Sequence, residues 1–184
     1  MSYSENFQIT DSKTGEPYWI SRSIAVCGIV ACIRPEDEKL FFLVERRGPG
    51  CPDFVGDLAC PCGYLGWGET RKEAIIREIK EETGIDLSEM LKDDERIFEW
   101  MTEDNPEENI RQNVTTRYII LADYDQIKKY LDSGPDLSTE SRGGEAEEVS
   151  ELFLLGEEDL DEYSWAWNHK ELLRAVAESY SEEG

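Results

Sequence analysis

Apolar residues occur along this chain in short runs that are separated by charged or turn-forming segments. Residues 23–33 are almost continuously apolar, and residues 40–44 form a second run. Runs of this kind are typical of strands that are buried on both faces. Because the intervening residues 34–38 combine a proline with charged residues, the pattern predicts two buried strands joined by a turn.

A helical pattern begins at Thr70. Thr70 and Glu73 have the spacing of a capping box, in which each side chain satisfies a free N–H group of the first turn. Three isoleucines in the following residues share one sector of the helix. Gly84 is the residue type that commonly ends a helix in the left-handed conformation. The sequence therefore predicts an amphipathic helix between Thr70 and Gly84.

The rest of the chain alternates strand patterns with helical ones. We predict a turn at residues 14–17, strands at 96–101, 114–121 and 149–155, helices at 124–131 and 168–180, and a polar loop at 132–148. This order indicates an α/β or an α+β domain and does not choose between them. We expect a single domain over residues 23–184, with residues 1–22 as a polar segment that packs on it or flanks it.

The charge of the chain limits its partners. With 42 acidic and 19 basic residues, the formal net charge is -23. Nucleic acid is not expected as a ligand, because Lys and Arg supply most of the affinity for phosphate backbones, and an anionic membrane is disfavoured for the same reason. The apolar runs are too short to cross a bilayer, and the first residues have no signal-peptide pattern. We therefore expect a cytoplasmic protein with small-molecule partners.

Five cysteines are present, an odd number that favours reduced thiols over a disulfide framework. Cys60 and Cys62 lie close together, but no CxxC pair occurs in the sequence. The one histidine, His169, is distant from them along the chain. Structural or incidental cysteines are therefore favoured over a zinc site.

Three glutamates on the predicted helix form one stripe. At 100° per residue, Glu78, Glu81 and Glu82 fall within about 100° of arc, beside the isoleucine sector. Like charges this close repel one another on a bare helix, and Mg²⁺ or Mn²⁺ would relieve the repulsion by binding carboxylate oxygens. A solvated acidic face with an ordinary Arg77–Glu81 pair is the alternative interpretation, and the residues upstream argue against it.

A loop with three glycines leads into this helix and completes a longer motif. Residues 63–85 read Gly, five residues, Glu69, seven residues, and then Arg-Glu-Ile-x-Glu-Glu-x-Gly-Ile. This segment resembles the Nudix box at every specified position. Glycines in such a loop allow backbone N–H groups to approach a phosphate closely. Cys62 stands where the family often has a further glycine, at a position that is not catalytic.

The resemblance implies the Nudix fold, a mixed β-sheet sandwiched between helices, with the box forming a metal site. By their positions in the motif, Glu78, Glu81 and Glu82 are the implied ligands of Mg²⁺ or Mn²⁺, and the carbonyl of Gly63 often joins them. Two further positions of the motif support the geometry of loop and helix and complete the implied catalytic set, namely Glu69 and Arg77.

The implied reaction is attack of water on phosphorus in a nucleoside diphosphate linked to another group. The bound metal would neutralise the bridging phosphates and lower the pKa of a coordinated water, and a carboxylate would accept the proton. The family draws this base from the box helix or from a distal loop, and the choice stays open. Among Glu145, Glu147 and Glu148 of the predicted loop, we hypothesise that Glu147 or Glu148 supplies an extra ligand or the base; an acidic surface loop is the alternative.

Several other side chains have two interpretations. Arg46 and Arg47 are candidates for contacting the phosphates of the substrate or are plain surface arginines. Trp67 and Tyr64 could stack on a base, but packing in the core or at its rim is favoured for both. His169 is interpreted as structural.

Two other functions compete with hydrolysis. A Nudix-fold module could bind a nucleotide and regulate without turnover, although the intact glutamate set disfavours this. An acidic protein-interaction domain rests on charge alone. The substrate stays open among ADP-ribose, dinucleoside polyphosphates, nucleotide sugars and damaged nucleotides, whereas the acidic surface disfavours capped RNA. A homodimer is compatible with the resemblance, since dimers are frequent in the family.

Overall fold

The computed structural model describes residues 6–92, 95–105, 113–137 and 147–183. In these ranges the strands are β1 (Phe7–Thr10), β2 (Pro17–Ile20), β3 (Ile24–Ile33), β4 (Leu40–Arg47), β5 (Leu58–Ala59), β6 (Cys62–Tyr64), β7 (Ile97–Glu103), β8 (Val114–Asp123) and β9 (Val149–Gly156). The helices are α1 (Arg71–Thr83), α2 (Tyr124–Asp132) and α3 (His169–Glu183), with 3-10 turns at Ser88–Lys92 and Glu157–Glu162.

Seven of these strands form one mixed sheet around β3. The order β5-β4-β3-β8-β7 forms the main path, while β6 pairs with β3 and β9 pairs with β4. β3 and β8 are parallel, and the other pairs in this sheet are antiparallel. On the side opposite β8, the first half of β3 pairs with β6 and its second half pairs with β4. The sheet therefore divides at this point, and the segment that begins at β6 leads directly into α1.

Helices cover both faces of the sheet. On one face, Ile75 and Ile79 of α1 pack against Val26 and Val30 of β3, together with Ile127 of α2. On the other face, α3 packs against alternate residues of β3 and β4 through a separate apolar cluster that includes Cys27, Ile29, Phe42, Leu172 and Leu173. The predicted mixed sheet between helices is thus confirmed, and the burial of β3 on both faces has its cause in these two layers.

Most predicted elements are present with shifts of a few residues at their ends. α1 begins after Thr70 and ends before Gly84, as its capping residues predicted. β4 is longer than predicted because it continues through three charged residues to Arg47. The short strands β5 and β6 were not predicted, since two or three residues carry no periodic pattern of their own.

The N-terminal segment contains a hairpin that the sequence did not predict. β1 pairs with β2 from Phe7 opposite Ile20 to Thr10 opposite Pro17. The predicted turn is confirmed nearby, where Gly15 adopts φ 77 and its N–H bonds to the carbonyl of Asp11. All eight residues of the two strands are exposed, including several apolar ones. None of the helices in the described ranges is long and apolar enough to cross a membrane.

Candidate metal and diphosphate site

The orientation of α1 is fixed at both of its ends. Thr70 accepts a hydrogen bond from the N–H of Glu73, and the Glu73 carboxylate accepts one from the N–H of Thr70. At the other end Gly84 adopts φ 78, and its N–H bonds to the carbonyl of Lys80. With its isoleucines buried against the sheet, the helix presents its glutamate stripe toward β6 and the open end of β4. The carboxylates are therefore held on a rigid element.

Glu82 lies deepest in the stripe. Its side chain is 7% exposed, and it accepts a hydrogen bond of 2.8 Å from the N–H of Cys62 at the start of β6. Burial raises the pKa of Glu82 well above its ordinary value, and the charges of Glu45, Glu78 and Glu148 raise it further. Carboxylates from three separate parts of the chain thus converge on one point.

Glu78 lies beside the glycine loop. Its side chain is 13% exposed, and burial is the main reason that the pKa of Glu78 rises to about 6. A Cβ atom at position 63 would overlap the carboxyl group of Glu78. The backbone of Gly63 therefore passes against this carboxylate as only glycine allows.

Arg77 and Glu69 form a clamp between the helix and the loop. Arg77 donates to both carboxylate oxygens of Glu69, at 3.0 and 2.7 Å, and to the carbonyl of Tyr64 at 3.0 Å. Glu69 also accepts from the N–H of Gly66 at 2.6 Å, and its contact with Arg77 is the main reason that its pKa is lowered. The clamp joins the loop to α1 at three points, and the positioning role that the motif implied stays a prediction.

The same arginine also contacts the glutamate stripe. Arg77 Nη1 lies 2.8 Å from an oxygen of Glu81 and 2.9 Å from an oxygen of Glu78. The predicted Arg77–Glu81 pair is therefore present. Because Glu78 is in addition buried and close to Glu82, the pair belongs to a larger cluster than a solvated helix face.

Glu45 is a site residue that the sequence analysis missed. It lies on β4, is 1% exposed, and contributes to the raised pKa of Glu82. A signal was available, since an acidic residue directly follows the apolar residues of a strand predicted to be buried. The prediction ended that strand at Val44 because the next three residues are charged. Charge at a strand end and charge at a buried site look the same in a single sequence.

The two distal glutamates lie at unequal depths. Glu148 is half-buried and raises the pKa values of both Glu78 and Glu82, whereas Glu147 is exposed. Their carbonyl groups accept hydrogen bonds from the N–H groups of Gly48 and Gly50, at 2.6 Å for Glu148 and 3.0 Å for Glu147. The loop after β4 thus anchors this segment beside the box. Of the two candidates, Glu148 fits the site; Glu145 lies outside the described residues.

Arg46 and Arg47 are engaged in contacts with the protein itself. Arg46 pairs with Glu151 at 3.1 Å, and its guanidinium lies 5.0 Å from the centre of the Phe153 ring. Arg47 is buried, pairs with Asp53 at 3.1 Å and lies 4.7 Å from the ring centre of Trp167. The structure therefore does not bring these arginines into the carboxylate cluster, and phosphate binding by either one stays a prediction.

The packing expected for Trp67 is wrong. Its side chain is 96% exposed, because it lies at the tip of the loop between Gly66 and Gly68, outside the clamp of Glu69 and Arg77. Tyr64 is also exposed, at 46%. The local sequence could not show this, since an aromatic residue between two glycines is compatible with either a buried or an exposed turn.

His169 belongs to a buried cluster with Cys27 and Cys60. One ligand atom from each of the three residues lies within 4.8 Å of the others, a spacing that a metal could occupy. However, His169 Nδ1 accepts a hydrogen bond of 3.0 Å from the N–H of Cys60, so the proton of a neutral ring lies on Nε2, 3.9 Å from the sulfur of Cys27. Nε2 therefore has no lone pair for a metal. A hydrogen bond with Cys60, followed by burial, raises the pKa of the Cys27 thiol, and all three residues are buried in the core; the structural interpretation of His169 stays a prediction.

Comparisons with known proteins agree with this geometry. The family model described as the NUDIX domain matches residues 25–176. An ADP-ribose pyrophosphatase of Methanocaldococcus jannaschii is 37% identical over 67 residues, and this match spans 36% of the chain and only 35% of that protein.

Solved structures resemble the whole domain. The NUDIX domain of Shewanella oneidensis NrtR, crystallised with ADP ribose, superposes with a TM-score of 0.62 at 18% identity, covering 88% of this chain and 90% of that one. A mutT/nudix family protein from Listeria innocua gives a TM-score of 0.63 at 18% identity, covering 88% and 95%. The fold, a sheet between helices, is therefore shared with these structures, and because the NUDIX family model matches most of its length, the chain belongs to the NUDIX domain family.

Proposed function

We propose that the protein hydrolyses the diphosphate bond of a nucleoside diphosphate linked to another group, with Mg²⁺ or Mn²⁺ as its cofactor. The observation that carries this proposal is the convergence of Glu45, Glu78, Glu82 and Glu148. Buried carboxylates that raise one another's pKa are unfavourable in a structure unless a cation balances them.

The donor set fits a hard divalent cation. The converging groups are carboxylate oxygens, with the backbone of Gly63 in contact with Glu78, and Mg²⁺ and Mn²⁺ prefer oxygen ligands. Glu78, Glu81 and Glu82 would hold the metal, with Glu148 as a further ligand or as the base. When bound, the cation supplies charge neutralisation at the phosphates and a water of lowered pKa.

The residues of the chain have distinct tasks in this proposal. Glu69 and Arg77 hold the glycine loop against α1, which fixes the position of the loop backbone beside the proposed phosphate site. Glu148 is the distal candidate for the base that accepts the proton of the attacking water, because it comes from a separate segment, is half-buried and acts on the pKa values of Glu78 and Glu82. Glu147 is exposed, and we assign it no role in the chemistry.

The relatives suggest which substrate to test first. The partial match is to an ADP-ribose pyrophosphatase, and the NUDIX domain of NrtR was crystallised with ADP ribose. ADP-ribose contains the proposed scissile group, a diphosphate between two larger moieties. It is therefore our first candidate, ahead of nucleotide sugars and dinucleoside polyphosphates.

A regulatory module without turnover is the second candidate, and one relative favours it. NrtR of Shewanella oneidensis was also crystallised with a 27mer DNA, in a longer chain of which the present one covers 63%. The net charge of -23 argues against DNA binding here. Cytoplasmic residence and a homodimer stay predictions.

A panel of diphosphate compounds tests the proposal. Each compound is incubated with the protein and Mg²⁺ or Mn²⁺, and phosphate is measured after phosphatase treatment of the products. We expect turnover of at least one compound, loss of turnover with EDTA, and its recovery on addition of Mg²⁺. Tight binding of a compound without product under both metals would favour the regulatory module.

A further inference from the structure

A tight turn follows β4 and lies against the two distal glutamates. In residues 48–51, which we call the β4 turn, the N–H of Cys51 bonds to the carbonyl of Gly48 at 3.1 Å. Pro49 occupies the second position, where its ring fixes φ. The pairing of β4 with β9 ends immediately before this turn and immediately after Glu148. The turn is therefore the part of the chain that meets the distal glutamates where the regular sheet stops.

Hydrogen bonds join the β4 turn to the backbone of both glutamates. The N–H of Gly48 donates to the carbonyl of Glu148 at 2.6 Å, and that of Gly50 donates to the carbonyl of Glu147 at 3.0 Å. A further donor is a side chain, the thiol of Cys51, which lies 3.1 Å from the same carbonyl oxygen of Glu148. Because a carbonyl oxygen has two lone pairs, two donors together fix its direction. The backbone from which the Glu148 side chain extends is thus held at a defined orientation.

Gly48 is required for this close approach. A Cβ atom at position 48 would overlap the carbonyl oxygen of Glu147 and crowd the carbonyl carbon of Glu148. Both are backbone atoms, which cannot rotate aside as the end of a flexible side chain can. The glutamates therefore lie so close to the turn that only glycine fits.

Glu147 has a strained backbone. It adopts φ 59, a left-handed conformation that is unfavourable for a residue with a Cβ atom. Its side chain is exposed, so side-chain packing does not compensate for the strain. The contacts that hold it are the hydrogen bonds to the β4 turn. Strain that surrounding contacts enforce in this way is found at functional sites, and here it sets the direction in which the chain enters Glu148.

The side chain that these contacts orient is that of Glu148. It is half-buried, and its charge acts on Glu78 and Glu82 of the box. A base must lie within hydrogen-bond reach of the proton that it accepts, and a displacement of about 1 Å can cost on the order of a hundredfold in rate. Because Glu148 comes from outside α1, the caps of that helix do not position it. Another device has to do so.

We propose that the β4 turn and the left-handed backbone of Glu147 position the Glu148 carboxylate beside the box glutamates. Gly48 and Cys51 are the positioning residues of the turn. This inference rests on the proposed function and adds to it, since Glu147 contributes through its backbone although its side chain has no role in the chemistry. Each of these residues acts through Glu148, so their loss should lower kcat and leave KM nearly unchanged.

Gly48→Ala tests the proposal, with Gly156→Ala as its matched control. Gly156 lies at the other end of β9, and a Cβ atom there would come nearest to the flexible carboxylate of Glu158. With the compound that is turned over best in the diphosphate panel, we expect Gly48→Ala to lower kcat about tenfold or more and to change KM less than about threefold. Gly156→Ala should leave both constants unchanged. Equal kcat values in the two variants would overturn the proposal.

Two milder pairs of variants keep the test valid if Gly48→Ala does not fold. Cys51→Ala removes a donor to the Glu148 carbonyl and should lower kcat about threefold, whereas Cys51→Ser retains a donor and should restore it. At position 147, asparagine tolerates the left-handed conformation and valine does not. We therefore expect Glu147→Val to lower kcat and Glu147→Asn to leave it unchanged. Equal kcat values within both pairs would contradict the proposal.

Combination with Glu148→Gln separates positioning from a general disturbance of the fold. If Gly48 acts through Glu148, Gly48→Ala should cause no further loss of kcat in a protein that already carries Glu148→Gln. A second loss of about tenfold in the double variant would assign Gly48 to the fold and overturn the proposal.

Alkylation of Cys51 keeps this proposal separable from the proposed hydrolysis. The thiol lies against the Glu148 backbone, so iodoacetamide should react with it slowly in the protein in EDTA, and mass spectrometry of the Cys51 peptide measures the rate. We expect Gly48→Ala and Glu147→Val to increase this rate severalfold and Gly156→Ala to leave it unchanged. If these rates are found and no compound is hydrolysed, the positioning of the distal glutamates is supported and the hydrolase proposal fails. Hydrolysis with equal alkylation rates and equal kcat in all variants has the opposite meaning.

Discussion

At the scale of single residues, the site depends on carboxylates that the fold places where charge is unfavourable. Glu82 is buried, accepts one backbone N–H and is surrounded by other acids. Without a cation, its ionisation opposes folding. With the proposed divalent cation bound, the same ionisation would supply a ligand. The free energy of the metal-free protein and the affinity for metal are therefore linked through the same side chain.

Glu82→Gln should separate these two effects. The amide keeps the hydrogen bond to Cys62 available through its oxygen but removes the charge. We expect turnover to fall on the order of a hundredfold or more, while the metal-free Tm at pH 7 rises. Activity assays and calorimetry in EDTA measure both. A variant that loses Tm and activity together would indicate a role in packing alone.

Stability of the metal-free protein should increase as pH falls from 7 to 5. The pKa of Glu78 is raised to about 6 from 4.5 by burial, so the folded state binds more protons than the unfolded state in this range. The stabilising effect of this proton is fully present below about pH 4.5. It is lost as the pH rises through 6, and the free energy of unfolding then falls by about 2 kcal/mol for Glu78 alone. The raised pKa of Glu82 acts in the same direction.

Urea unfolding in EDTA at pH 5, 6 and 7 measures this dependence. Glu78→Gln should flatten it, whereas the exposed Glu178→Gln on α3 should leave it intact. An unchanged slope in Glu78→Gln would mean that this carboxyl group is not the source.

The adjacent pair Glu147 and Glu148 offers a matched comparison. Because Glu148 is half-buried beside the box glutamates and Glu147 is exposed, we expect Glu148→Gln to lower kcat at least about tenfold and Glu147→Gln to change it less than about twofold. Steady-state kinetics with saturating Mg²⁺ distinguishes them. If both variants turn over at the original rate, the distal carboxylate has no part in the reaction.

At the scale of elements, α1 is the part of the fold that local sequence determines most fully. Thr70, Glu73 and Gly84 set both ends through contacts within a few residues, and the structure reproduces them. The glutamate stripe follows from helical periodicity once those ends are fixed. Glu45, by contrast, becomes part of the site only because the sheet places β4 near the glutamates of α1. No local pattern contains that information.

The short strands and the aromatic residues were missed for the same physical reason. β6 exists because it pairs with the first half of β3, and the hairpin of β1 and β2 exists because each strand pairs with the other. Such pairing joins residues that are distant in sequence or that lie on the two sides of a turn. Each of these strands has only a few residues, which is too short to show a periodic pattern of apolar positions. The exposure of Trp67 likewise depends on how the clamp of Glu69 and Arg77 orients the loop.

The cap of α1 gives a prediction at this scale. Thr70→Ala removes the acceptor for the N–H of Glu73 and should lower the free energy of unfolding by about 1 kcal/mol. Urea unfolding measures the change. Glu73→Gln is the matched variant, since the amide oxygen can still accept from the N–H of Thr70, and it should cost less. Equal losses for the two variants would contradict the reciprocal cap.

At the scale of the whole molecule, the net charge of -23 and the proposed anionic substrate are reconciled by the cation. An acidic surface repels a free phosphate compound, and the proposed divalent ion would reverse the sign of the field where the substrate approaches. The sheet between helices is a rigid frame for the carboxylate site, because α1 packs against β3. The segment with the two distal glutamates is held by hydrogen bonds to the loop that follows β4. The fold thus brings acids from three segments to one place.

Hydrolysis of ADP-ribose in ¹⁸O-labelled water tests the central claim most directly. The protein is incubated with ADP-ribose and Mg²⁺, and the products are examined by mass spectrometry, with Glu82→Gln and an EDTA sample alongside. The account predicts cleavage into AMP and ribose phosphate, with one ¹⁸O atom in the phosphate of one product. It also predicts no cleavage in either control. Binding of ADP-ribose and of the other diphosphate compounds without any labelled product, under Mg²⁺ or Mn²⁺, would contradict it.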